Sequence, residues 1–220
     1  MSQSPIPPHR LSSEERFNTI THLVGLCLVP CISWVIIWFG YVKSWQHAFG
    51  VTFFTVGMLL MYLASFLYHL WRPESKGKRV LRLLDHIGIY VLIASSYTPI
   101  AMNLVDGNDP VAGWVFFGVI WLIAVLGIFY KIFFWNKFPS LSLLLYIAMG
   151  WAIVFIASDV YQSCSALTLS FILAEGICYT GGTYFFAADH KRFFHGIWHI
   201  FVMLGTLFHW AAVMTMTWPE

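Results

Sequence analysis

Charge is scarce in this chain of 220 residues: 10% are Asp, Glu, Lys or Arg, against about 25% in an ordinary soluble domain. That shortage excludes a water-covered globular fold. Cysteine is also sparse, and its four copies build no disulfide framework. Cys27 and Cys31 share one apolar run at i, i+4 and Cys178 lies in another, where small buried side chains are expected. Cys164 alone reads as loop-exposed. The opening residues lack the charged-then-apolar layout of a signal peptide, so the polar, Pro-rich stretch 1–17 is expected to be a retained tail. No basic patch is interleaved with exposed aromatics, so no nucleic-acid partner is expected. A net charge of +2 decides little, because in such a chain placement of charge outweighs its sum.

What is abundant is apolar surface: 59% of the residues are hydrophobic and 19% aromatic. Seven runs, 18–41, 50–71, 81–103, 111–130, 139–158, 165–187 and 193–215, each approach the roughly 20 residues needed to cross a bilayer. The expected fold is all-α: a polytopic membrane protein, a seven-transmembrane helix bundle forming a single domain over 18–220. Lys and Arg set its orientation. Arg10 and Arg16 precede the first run; Arg72, Lys76, Lys78, Arg79 and Arg82 follow the second; Lys131 and Lys137 follow the fourth; Lys191 and Arg192 follow the sixth. Only Lys43 falls on the other side. The basic side stays in the cytoplasm, which puts the N-terminus inside and makes 1–17 a cytoplasmic tail. So one-sided a partition needs an odd number of spans. Pro30 and Pro99 fall within or near the ends of spans and are expected to kink them. Trp45, Trp71, Trp114 and Trp218 are placed for an interfacial aromatic belt.

The last run, 193–215, carries His195 and His199 one helical turn apart. An α-helix puts i and i+4 on one face, where two imidazoles can share a metal ion. Polar side chains are costly in hydrocarbon and usually mark function there. The inferred topology places other polar residues at the same depth: Ser65 and His69 in the last turns of the second run, and Asp85 about one turn into the third. His199 lies about 6 Å deeper than His195. Three imidazoles with one open position form the usual catalytic zinc arrangement. Imidazole also suits copper, iron or nickel. Spacing alone leaves His22, His69 and Asp85 as alternatives for the third ligand. His86 points about 100° away from Asp85, so the two do not share a centre easily. Glu175, near the middle of the sixth run, is expected to be protonated and bonded to a neighbouring helix. His47 and His209 have no partner evident from the sequence.

The set N-T-I-T-H-L-V-G (18–25), S-F-L-Y-H (65–69), L-D-H-I-G-I-Y-V-L-I-A-S-S-Y-T-P (84–99) and H-G-I-W-H-I-F-V (195–202) resembles the hemolysin III group. That group belongs to the wider family of progestin and adipoQ receptors, which includes the adiponectin receptors. The resemblance covers 16–209 and implies a zinc ion near the cytoplasmic face. His69, His195 and His199 would be its ligands, Asp85 would hold the water on the metal, and Ser65 would stand beside it. His22 would pack nearby. The chain looks like the compact bacterial type rather than the adiponectin receptors with their long N-terminal region, which implies the bacterial inner membrane.

Two functions follow. The first is a zinc-dependent intramembrane hydrolase of lipid amides or esters, ceramidase-like, with Asp85 and Ser65 catalytic and a lipid or fatty acid held in the bundle. The second is a non-enzymatic sensor or cytolytic protein in which zinc only ties helices together. Membrane lipids are the expected partners of either, and a role in lipid homeostasis is compatible with both.

Overall fold

A computed structural model describes residues 11–73, 75–107, 109–134, 137 and 139–218, with 139 and 140 described by backbone alone. Residues 1–10 of the expected tail lie outside the described residues. Every regular element is helical. The order is α1 (Ser13–Lys43), α2 (Trp45–Leu70), α3 (Lys76–Asp106), α4 (Pro110–Phe133), α5 (Pro139–Gly150), a 3₁₀ stretch (Ala152–Ile156), α6 (Ala157–Ser163), α7 (Ala166–Ala187) and α8 (Phe194–Thr217).

α1, α3 and α4 outrun the apolar runs at both ends, and α2 at its start, because side chains cap them. Ser12, Ser44, Ser75 and Ser165 accept hydrogen bonds from the backbone N–H three residues on, satisfying donors at the starts of α1, α2, α3 and α7. Asp109 does the same for α4, with Pro110 in its first turn. α1 therefore begins at Ser13 and takes in Glu14 and Glu15. Both Pro30 and Pro99 sit inside helices that continue past them. The fifth run is not one regular helix: α5, the 3₁₀ stretch and α6 follow one another, and together they supply the span Leu141–Ser163.

Among the described residues, six helical segments are long and apolar enough to cross a membrane, the composite Leu141–Ser163 included, against the seven runs read from the sequence. The one that misses is α7, which has the length at 22 residues. It carries Glu175 and the stretch Thr180-Gly181-Gly182-Thr183, which lower its hydropathy.

α3 is the centre of the bundle, packed between α2 and α4 and buried along most of its length. α1 packs on α2 and α8, and α7 packs on α8. Asp85 of α3 and His195 of α8 border the same cavity within electrostatic reach of each other, while Ile100 and Leu104 share a cluster with Ala212 and Met216. The two helices therefore run in the same direction. Outward faces are apolar, as for Trp34, Trp38, Leu122 and Leu173. Trp45, Trp71, Trp114 and Trp218 are all exposed at or near helix ends.

The cysteine expectations need correcting. Cys27 and Cys31 are exposed, because α1 packs on α2 and α8 and its outer face carries them. Cys164 lies in the link between α6 and α7, a loop as expected, but is half-buried there near the Asn103 amide instead of exposed.

Candidate metal centre

The polar residues of α1 are the base on which the cluster is built. Glu15, Asn18 and His22 recur at i, i+3 and i+7, on one inward face of the helix. Gly196 lets that face come close to α8. A Cβ there would meet the Phe17 ring and lie 2.8 Å from Asn18 Oδ1. On α2, Ser65 and His69 share a face one turn apart, and both are buried.

These helices bring His69, His195 and His199 together. One ring nitrogen from each lies within 4.8 Å of the others. His69 and His199 are buried and His195 is half-buried. Two of the rings are oriented from behind. His69 Nδ1 lies 2.6 Å from Glu15 Oε2. An ionised carboxylate only accepts, so Nδ1 carries the proton and Nε2 keeps its lone pair. Thr21 Oγ donates to the Asn18 carbonyl at 2.8 Å, and so accepts from His199 Nδ1 at 3.0 Å. His199 Nε2 is left with its lone pair in the same way. His69 Nε2 and His195 Nε2 are buried and have no hydrogen-bond partner among the described residues. Neutral rings with bare, converging nitrogens and hydrogen-bonded far sides are what a metal needs from histidine. The donor set fits zinc.

Glu15 is itself anchored. Its second oxygen accepts from Lys78 Nζ at 2.7 Å, and Lys78 also donates to the Tyr68 carbonyl at 2.6 Å and lies over the Tyr68 ring. The ends of α1, α2 and α3 are thus tied at one corner of the cluster. Sequence reasoning missed Glu15, Thr21 and Lys78. The i, i+3, i+7 polar recurrence on α1 was the available signal for Glu15.

Asp85 is buried and within electrostatic reach of His69, His195 and the Ser65 hydroxyl, but it is not one of the three converging donors. Ser65 is fully buried, and its Oγ makes no hydrogen bond of ordinary length. His22 is adjacent without joining the group. Its ring stacks on His199 with centroids 3.6 Å apart, and neither of its nitrogens has a hydrogen-bond partner among the described residues. His86 Nδ1 accepts no role in the cluster and lies 2.8 Å from the Arg82 carbonyl.

Two histidines whose partners were not evident from the sequence have them in the fold. His47 opens α2, buried, with Asn103 Oδ1 at 3.2 Å and Asp106 Oδ2 at 3.4 Å. His209 Nδ1 lies 2.7 Å from Glu175 Oε2, which makes the expected helix-to-helix bond of Glu175 one to α8.

The cluster lies between two unlike cavities. One, of about 260 Å³, is polar, with Glu14, Glu15, Asn18, Arg82, Asp189 and Lys191 among its walls. The other, of about 250 Å³, is mainly apolar and extends along α3 from Asp85 to Ile100, with walls from α5, α7 and α8. His195 and His86 border both.

Residues 11–210 match the family described as Haemolysin-III related. The chain is 37% identical over 194 residues to the Hemolysin-3 homolog of Bacillus subtilis (strain 168), covering 88% of this chain and 89% of that protein. It is 36% identical over 207 residues to Hemolysin-3 of Bacillus cereus, covering 94% and 93%. A human protein, Monocyte to macrophage differentiation factor, is 26% identical over 163 residues, covering 72% and 66%.

Proposed function

The chain belongs to the haemolysin-III-related family, and from that premise we propose an intramembrane zinc-dependent hydrolase of lipid amides or esters. In this reading α7 is a seventh span, the N-terminus is cytoplasmic, and the protein resides in the bacterial inner membrane. The observation that carries it is the position of three converging histidine nitrogens, with Asp85 within electrostatic reach, between a polar cavity and an apolar one.

Hydrolysis of a lipid needs water and an acyl chain at one point. The polar cavity supplies the first and the apolar cavity accommodates the second. His69, His195 and His199 would hold the metal, with Glu15 and Thr21 fixing two of the rings. Zinc, when bound, supplies Lewis-acid polarisation of a carbonyl and a lowered pKa for water. Asp85 takes the proton from the attacking water and returns it to the leaving nitrogen or oxygen. Ser65, next to Asp85, donates its hydroxyl proton toward the oxygen on which negative charge develops. Burial strengthens both interactions, because no bulk water screens them.

A second reading has one observation in its favour: Glu15 and Thr21 tie the histidines of α2 and α8 to α1, as a structural metal would require. There zinc only braces the bundle of a sensor or cytolytic protein. A lipid-extract assay on purified protein with its metal and after chelation separates the two. Release of fatty acid only by the metal-loaded sample supports the hydrolase. No release by either sample, with the fold lost on chelation, refutes it in favour of the brace.

A further inference from the structure

The apolar cavity has a second polar end that the proposed chemistry does not use. Along α8, His209 lies ten residues beyond His199, about 15 Å at the helical rise. Along α3, which runs the same way, Ser96 lies eleven residues beyond Asp85, about 16 Å. Both residues line the cavity, together with Glu175 of α7. Polar groups from three helices therefore reach a mainly apolar space away from the histidine cluster.

Two of those groups are unsatisfied. Ser96 is 5% exposed and His209 1%, and Ser96 Oγ and His209 Nε2 have no hydrogen-bond partner among the described residues. Glu175 and His209 Nδ1 share one proton, so His209 Nε2 is left either as a bare acceptor or as an unused N–H donor. Ser96 Oγ can donate or accept. A hydroxyl group, itself both donor and acceptor, complements the pair in either state. Leaving such groups unmade in a buried site is costly, and a fitting ligand removes that cost.

We propose that Ser96, Glu175 and His209 form a second binding site within the cavity, for a hydroxyl carried partway along a long acyl chain. The proposal rests on the reading of the cavity as an acyl-chain site. An extended chain advances roughly 1.2 Å per bond, by analogy with extended backbone. A carboxyl group at the histidine cluster thus puts a carbon near the twelfth position beside His209.

The test uses the full chain in detergent and competition against a fluorescent fatty acid, with stearate, 12-hydroxystearate and 2-hydroxystearate as probes. One added hydrogen bond corresponds to a preference of about five- to tenfold for 12-hydroxystearate over stearate. The 2-hydroxy isomer should show no such preference. Ser96→Ala, which removes a hydroxyl without opening a large void, should bring the ratio below about twofold while stearate affinity holds. His209→Phe should do the same. Equal affinities of the wild type for stearate and 12-hydroxystearate, or a preference that survives in both variants, would overturn this site alone. Failure of every fatty acid to bind would overturn it together with the acyl-chain reading of the cavity.

Discussion

Replacing Glu15 by Gln isolates the support behind the histidine cluster. Glu15 bonds His69 Nδ1 at 2.6 Å and Lys78 Nζ at 2.7 Å, and it is only 26% exposed, so solvent screens these contacts weakly. The amide keeps the shape but removes the charge that holds Nδ1 protonated and makes Nε2 a stronger donor. Charge-assisted hydrogen bonds are about twice as strong as neutral ones. Losing the outer partner of a metal-bound histidine typically costs 10- to 100-fold in metal affinity, or about 1.4–2.8 kcal/mol. The assay is zinc competition against a chelator of known affinity, with Lys78→Met as the control. That control breaks the ion pair but leaves the Glu15–His69 bond, so its zinc affinity should fall less than threefold. Unchanged affinity in Glu15→Gln, with zinc lost in His69→Ala, would refute the claim that Glu15 orients the ligand and leave it a docking residue between helices.

Asp85→Asn should retain zinc and the fold while lipid hydrolysis falls about 10²–10⁴-fold, and Ser65→Ala should cost about 10²–10³-fold; loss of zinc in Asp85→Asn would make Asp85 a ligand instead. Gly196→Ala pushes a methyl into Phe17 and Asn18 at the α1–α8 contact, and overpacking of this kind costs about 1–3 kcal/mol. A thermal unfolding midpoint in detergent equal to that of the wild type would contradict the close approach. A reporter fused after Glu220 should be active only outside the cytoplasm, and a cytoplasmic signal would reverse the orientation assigned from the basic residues.

The parts of this fold written in the sequence are those with a period or a sign. Long apolar runs located the helices, and His195 and His199 disclosed their shared face through i, i+4 spacing. Ser65 and His69 gave the same kind of signal on α2. Helix ends were less legible, because α1 and α3 continue into charged turns where capping serines, not hydropathy, set the boundary. The choice of His69 over His22 could not be made from depth alone. Both lie in the same slab, and only packing turns one ring toward the cluster and stacks the other on its side. Pairings between distant helices stayed hidden for the same reason: Glu15 with His69, Thr21 with His199, and Glu175 with His209 are joined only by tertiary contact. The break among α5, the 3₁₀ stretch and α6 carries no proline or charge to announce it.

The most direct measurement is zinc per chain by elemental analysis of purified protein, made on the wild type, on the His195→Ala, His199→Ala double variant and on His22→Ala. The three converging nitrogens call for about one zinc in the wild type, none in the double variant, and near-wild-type content in His22→Ala, whose ring stands outside the group. A wild type free of zinc after purification without chelators, or zinc that depends on His22 and survives loss of His195 and His199, would contradict the assignment of the cluster as a metal centre.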